Sequence, residues 1–344
     1  MTKLKNDRLI RVIKNLSVDR VPVWLMRQAG RTDPEYNFIR KNDERTLEKI
    51  FEDPEISIKI SLLPKRLGVD AIIMFQDILT PLAPAGAAFR FAPGPILERP
   101  IRNLYQVKTL QPVDPEIHLK TVSQIIKGLN KKLNGELPVL GFAGSPMTLA
   151  FFLISGGNPN QKIEEILAFA EEQPETTQVL LDVLTELTVD YLNFQIESGA
   201  HIVQLFESFA EFFEIETYKK FIQPTHEKIF SSLVKKAPSI LFTKESAHID
   251  LMLQSGASVL SVGSCVDLAK ARKKDPGIIF QGNVDNQILA DGTKDQITLA
   301  VRNCFKQSGK RNHILNLNHG LLERTPFENV QHFLKVAKEF GKIE

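Results

Sequence analysis

Short apolar runs alternate with amphipathic stretches along the whole chain. Lys3 to Asn15 carries Leu9, Ile10 and Ile13 at helical spacing, which predicts a short helix packed on the first strand. Val23 to Met26 is a continuous apolar run with bulky β-branched and aromatic members, the pattern of a strand buried on both faces. Thr46 to Leu67 reads as helical, broken near Pro54 and Pro64. Gly68-Val69-Asp70 then leads into a second buried strand, Ala71 to Phe75, followed at once by Gln76-Asp77. Thr80 to Pro112 is a Pro- and Gly-rich insertion in which Ala88 to Phe91 and Ile96 to Glu98 predict a small hairpin across Pro93-Gly94. The alternation then recurs: a helix over Ile117 to Leu133, a strand at Pro138 to Phe142, a turn at Ala143 to Pro146 and a helix from Thr148 to Ile154, ended by Gly156-Gly157. Gln161 to Glu197 predicts a long helical stretch in two pieces around Pro174. Further strands are expected at His201 to Phe206, Ile240 to Thr243, Val259 to Val262, Ile278 to Gln281 and His313 to Leu317.

Eight strands in βα alternation, with no mid-chain linker, predict an α/β fold: a single (β/α)8 TIM-type barrel over residues 1–344 with a loop and hairpin inserted after strand 2. An open doubly wound sheet is the competing architecture. No G-x-G-x-x-G or G-x-x-x-x-G-K-[ST] follows any strand, so neither that fold's phosphate loop nor a nucleotide cofactor is indicated.

Composition narrows the partners. The 43 Lys plus Arg nearly balance 41 Asp plus Glu, a formal charge of +2, so no global attraction to nucleic acid or membrane is expected. An anionic partner must be met by a local cluster. Cys265 and Cys304 are the only cysteines, which fits a reducing compartment, and the start carries no apolar core of signal-peptide length. A cytoplasmic protein is expected. Seven scattered histidines, with no H-E-x-x-H and none beside a Cys, give no metal site, and zinc is not expected.

The chemistry should sit just past the carboxyl ends of the strands. Those positions hold Arg27 and Arg31, Asp77, Ser145, Ser208, Lys244, Ser264, Asn283, and Asn318 with His319. They include no carboxylate pair set for glycoside cleavage and no nucleophile with an adjacent base. Arg27-Gln28-Ala29-Gly30-Arg31 places two guanidinium groups around a Gly that permits a tight loop and an Ala that leaves room for a ligand, with Arg40 downstream. Such cations can pair with the protein's own carboxylates. At the exit of a buried strand they read as a carboxylate-binding loop. Asp77 either caps the following turn or stands as a lone anion in an apolar wall of Phe75, Ile78 and Leu79.

Five ordered motifs carry a resemblance: Pro-Val-Trp-Leu-Met-Arg-Gln-Ala-Gly-Arg at 22–31, Asp-Ile-Leu-Thr-Pro-Leu from Asp77, Gly-Phe-Ala-Gly-Ser-Pro-Met-Thr-Leu-Ala at 141–150, Gln-Gly-Asn-Val-Asp at 281–285 and Asn-Leu-Asn-His-Gly at 316–320. Over essentially the whole chain it resembles the uroporphyrinogen decarboxylase family. The resemblance implies a (β/α)8 barrel, usually a homodimer with facing clefts, that removes carbon dioxide without a cofactor from the four acetate arms of uroporphyrinogen to give coproporphyrinogen in haem synthesis. Arg27, Arg31 and Arg40 would then grip substrate carboxylates, with Gln28, Ala29 and Gly30 completing the loop. Asp77 would meet the pyrrole N–H groups, and Ser208 and His319 would contact the acid arms. Arginine is a poor acid, its pKa lying above about 12, so Arg27 is assigned mainly to positioning and the proton donor stays open.

The chain departs from the family at several places. Thr32-Asp33 replaces Tyr-Leu, Phe152 stands where a substrate-binding tyrosine is usual, Met147 replaces Trp, Gln76 replaces Ser and Glu211 replaces a small residue. Two alternatives follow. A related corrinoid- and zinc-dependent methyltransferase would need a His-x-Cys where this chain has Thr243-Lys244-Glu245-Ser246. A non-catalytic porphyrin-binding homologue is suggested by Phe152 and Thr32-Asp33.

Overall fold

The computed structural model describes residues 3–343 except 93 and 246–247. Its centre is a curled parallel sheet of seven strands in chain order: β1 (Ile72–Ile73), β4 (Val139–Gly144), β5 (Ile202–Glu207), β6 (Ser239–Thr243), β7 (Val259–Ser261), β8 (Phe280–Val284) and β9 (His313–Leu317). Between β1 and β4, β2 (Phe89–Phe91) pairs antiparallel with β3 (Pro95–Leu97), with Phe89 opposite Leu97. The expected turn at Pro93 lies outside the described residues. Each parallel register sets apolar pairs side by side, such as Ile72 with Val139 and Leu205 with Leu241. Helices return the chain between strands, the longest being Pro174–Glu197, and they cover the sheet's outer face with residues such as Leu180, Leu184 and Leu192.

Eight parallel strands were expected and, among the described residues, seven form. The missing one is the first, where only Val23 makes a parallel bridge, to Leu315. The reason is local. Pro22 has no N–H to give a ladder, and side chains satisfy three of the four donors that follow: Val23 N–H bonds Asp70 Oδ2 at 2.8 Å, Leu25 N–H bonds Gln28 Oε1 at 3.1 Å and Met26 N–H bonds Asn316 Oδ1 at 3.3 Å, while Trp24 N–H reaches Leu315 O at 3.4 Å. The segment still spans the gap, because Leu315 N–H bonds Pro22 O at 2.9 Å and Asp70 N–H bonds Val23 O at 2.8 Å. Both edges of the sheet therefore reach it.

Other boundaries move for similar reasons. β1 stops early because Phe75 N–H turns to the Ser61 hydroxyl at 2.8 Å. Ala143 and Gly144, expected in a turn, continue β4 in register with Leu205 and Phe206, and the next helix runs Pro146–Ser155. The first helix covers only Arg8–Ile13. Pro54 opens Pro54–Leu62 at its first turn, with the Asp53 carboxylate accepting from Glu55 and Ile56 N–H, so it begins a helix rather than breaking one.

Inside the sheet lies a polar layer that hydrophobic periodicity does not reveal. Trp24 Nε1 donates to Gln281 Oε1 at 2.9 Å, and Gln281 Nε2 donates to Gln204 Oε1 at 3.0 Å and Ser261 Oγ at 2.9 Å, all fully buried. Each such bond is worth about 1 kcal/mol net, and an unmatched member would cost more. The layer links the first segment to β5, β7 and β8 beneath the cavity described next.

Candidate active site

The site is a cavity of about 500 Å³ at the carboxyl ends of the strands. Its walls come from Met26, Arg27 and Ala29, from the stretch Ile73 to Leu79 after β1, from Phe142 of β4, from Phe206 and Ser208 at the end of β5, and from His319 and Gly320 after β9. Phe152, on the helix after β4, and Phe91 and Pro95 from the β2–β3 pair close the other side. The size and mixed lining suit a small-molecule ligand with an apolar body.

Asp77 is half-buried in that wall. One oxygen accepts the Leu79 N–H at 2.8 Å, the turn-capping bond that was one of the two expectations for it. Burial raises its carboxyl to about 6, against the opposing pull of that N–H and of Arg27. Among the described residues no cation lies within 4 Å of it.

Arg27 takes a left-handed backbone, φ 61°, which costs a residue with a Cβ on the order of 1 kcal/mol. Gly320 makes room for its side chain: a Cβ there would lie 2.5 Å from Arg27 Cδ. No protein side chain among the described residues bonds its guanidinium. Arg27 is exposed to solvent at the cavity; partial desolvation by the surrounding protein lowers its pKa, and nearby Arg31 lowers it further, while Asp77 opposes both. An unpaired guanidinium facing a cavity is an anion receptor.

His319 is pushed down to about 3 by burial, with Arg27 and Lys244 adding to the effect, and its ring lies 5.8 Å from that of Phe242. At neutral pH it offers a neutral imidazole, one donor and one acceptor, not a charge. Ser208 is set by a buried relay in which Glu207 accepts from the Thr148 hydroxyl at 2.7 Å and that hydroxyl accepts the Ser208 N–H at 2.8 Å.

The remaining anticipated residues stand off the walls. Arg31 is exposed and paired with Glu323, and Arg40 donates to Arg45 O at 3.3 Å. Gln28 faces inward, its amide joining Leu25 N–H to Ala71 O at 3.0 Å, so it shapes the loop. Gly30 keeps the turn tight, since a Cβ there would meet Arg27 O at 3.1 Å. Four strand-end residues tie loops together: Ser145 bonds His226 at 3.1 Å, Asn283 bonds Gly263 O at 2.9 Å, and Ser264 and Asn318 both bond Glu245. The Thr32-Asp33 departure is structural too. Asp33 is buried, caps the helix Pro34–Lys41 and pairs with Arg66.

Three polar lining residues were missed. Gln76 lines the cavity while its amide holds Phe51 O at 2.7 Å, and Asn158 and Asn160 reach it from beyond Gly156-Gly157. Two amides beside a Gly-Gly stop were the available signal. Phe152, packed edge-on at 6.4 Å to Phe89 and 6.1 Å from Phe209, brings no hydroxyl to the wall.

Comparisons with known proteins converge. The chain has 38% identity over 344 residues to uroporphyrinogen decarboxylase of Prochlorococcus marinus, covering 97% of both chains. It has 37% identity to that of Trichodesmium erythraeum, covering 97% of this chain and 96% of the other. A solved methyltransferase from Methanosarcina mazei shares the fold, with TM-score 0.80 and 19% identity over 98% of this chain and 99% of that one. A family model described as Uroporphyrinogen decarboxylase (URO-D) matches residues 4–340. With its fold, cavity and relatives in agreement, the chain belongs to the uroporphyrinogen decarboxylase family.

Proposed function

We propose that this enzyme removes the four acetate carboxyl groups of uroporphyrinogen III to give coproporphyrinogen III. The observation that carries the reading is the pairing within one cavity of an under-satisfied anion, Asp77, with an unpaired cation, Arg27. The substrate presents four pyrrole N–H donors at its centre and eight carboxylates around its edge. An ionised Asp77 accepts the converging N–H groups, and Arg27 takes a carboxylate.

Decarboxylation of a pyrrole acetate begins with a proton added to the ring carbon. The ring becomes a cation, the C–C bond breaks toward it, carbon dioxide leaves, and the methylene left behind takes up a proton while the ring gives one back. Each arm thus consumes one proton and releases one CO2. Asp77 stabilises the cationic ring where charge develops, which in a water-poor wall is worth several kcal/mol, about the cost of losing an oxyanion-hole donor elsewhere. His319 and Ser208 bond the acid arms as neutral partners. Arg31 and Arg40 join in by exchanging Glu323 and the Arg45 carbonyl for substrate carboxylates at the rim.

The segment from Pro22 to Met26 serves as the eighth stave of one closed (β/α)8 barrel, the β2–β3 pair is its inserted hairpin, and 1–344 form one domain. The enzyme acts without a cofactor, as a cytoplasmic homodimer with facing mouths. Among the described residues no helix is long and apolar enough to cross a membrane.

The test is anaerobic incubation with freshly reduced uroporphyrinogen, resolving products by carboxylate number. Stepwise conversion from eight to four carboxylates supports the reading. An unchanged octa-acid leaves a binder. The methyltransferase alternative lacks its donor set where it was sought: Thr243 bonds Met252 and Lys244 bonds Glu211, with Ser246 outside the described residues.

A further inference from the structure

An anion is out of place at the mouth of a cavity meant for a polycarboxylate. Glu211 nevertheless stands at the same end of the sheet, outside the cavity's lining but three residues past the cavity-lining Ser208, and holds the Lys244 ammonium at 2.7 Å, with both side chains partly exposed. Lys244 directly follows β6. Its backbone N–H bonds Glu207 O at 3.1 Å, next to Ser208, and its charge is felt at the His319 ring. The Lys244 backbone is thus tied next to one residue of the cavity wall, and its charge lies near enough to another to act on it. Glu245, the neighbouring anion, is engaged differently, accepting from Ser264 N–H and Oγ at 3.0 Å, Cys265 N–H at 2.9 Å and Asn318 Nδ2 at 2.8 Å. It is satisfied without a cation, whereas Glu211 occupies one.

We infer that Glu211 is a specificity-determining residue that masks Lys244, so that beside the open Arg27 and the rim arginines stands a further cation that a substrate carboxylate must capture from Glu211. The inference rests on the proposed reading of the cavity as a polycarboxylate site. Exchange of one carboxylate for another at the ammonium keeps the charge-assisted hydrogen bond, and a pair in contact with water is held only modestly. An acid with many carboxylates competes well for Lys244. One that has lost its acetate arms competes less well, so the masked cation discriminates by carboxylate number and favours departure of the product.

The test is equilibrium binding of uroporphyrin, the unreactive oxidised octa-acid, and of the tetra-acid coproporphyrin, at two salt concentrations. The proteins are the wild type, Glu211→Gln and Glu211→Gln with Lys244→Met, alongside wild-type turnover of reduced substrate. Removing the mask should tighten uroporphyrin binding by roughly threefold to tenfold and steepen its salt dependence. It should narrow the preference for the octa-acid over the tetra-acid, and Lys244→Met should abolish the gain. Equal affinities in wild type and Glu211→Gln, or a gain that survives Lys244→Met, overturn the mask. Turnover without such a gain leaves the proposed reaction standing and removes the mask; the gain without turnover does the reverse.

Discussion

Two aspartates seven positions apart, on either side of β1, live under opposite regimes. Asp70, at the strand's entrance, is fully buried and accepts from Arg20 Nη1 and Nη2 at 2.7 Å, Asn6 Nδ2 at 2.8 Å and Val23 N–H at 2.8 Å. Asp77, past the strand's exit, has one N–H and, among the described residues, no paired cation. The first carboxylate has every partner it can use, so it joins the N-terminal segment to the sheet. The second is left short of donors, so a ligand can supply them. The amino end of the sheet stores stability and the carboxyl end stores unmet bonding capacity.

The largest expected effect tests the second half of that contrast. Asp77→Ala should lower decarboxylation on the order of a thousandfold while the thermal midpoint stays near wild type. Retention of most activity would remove the central assignment. Asp70→Ala should do the opposite, costing about 3–5 kcal/mol in urea unfolding because Arg20 is left without its partner, with activity per folded molecule preserved. A loss below about 1 kcal/mol would break the comparison.

Acid titration sharpens it. Because the folded-state carboxyl of Asp77 is raised to about 6, the folded protein holds that proton when the unfolded chain has already lost it. This group's contribution to stability therefore falls as pH rises from the ordinary carboxylate range to about 6, and Asp77→Asn should be free of that fall. Activity that depends on the ionised form should instead rise through about pH 6, and a rate profile flat across that value contradicts the role.

Two smaller effects probe the cavity walls. Gly320→Ala pushes on the Arg27 stem and should raise KM by about tenfold with little change in stability. Phe152→Tyr restores a hydroxyl facing the cavity and should quicken turnover by at most about fivefold, the worth of one hydrogen bond near 1 kcal/mol.

Much of the scaffold was readable because burial on both faces leaves a periodic mark. β9 appears at its predicted bounds, and the long helices divide at Pro174. The first strand was misread because an apolar run reports burial and not hydrogen bonding, and Asp70, Gln28 and Asn316 take three of its N–H groups. Asp77 and Arg27 were legible as charges placed where a barrel keeps its chemistry. The asparagines at 158 and 160 were not, since amides in a loop have no period.

The sequence by itself determined the alternation of buried runs and covering helices, the charges at strand ends and the glycines that allow close approach, because these depend on neighbours a few residues away. Only the tertiary structure decided which charges remain free. Arg27 and Arg31 are chemically alike and four positions apart, yet one is unpaired in a cavity and the other is paired with Glu323, 292 positions along the chain. A charge's availability is set by partners that folding brings from afar, and no local pattern encodes them.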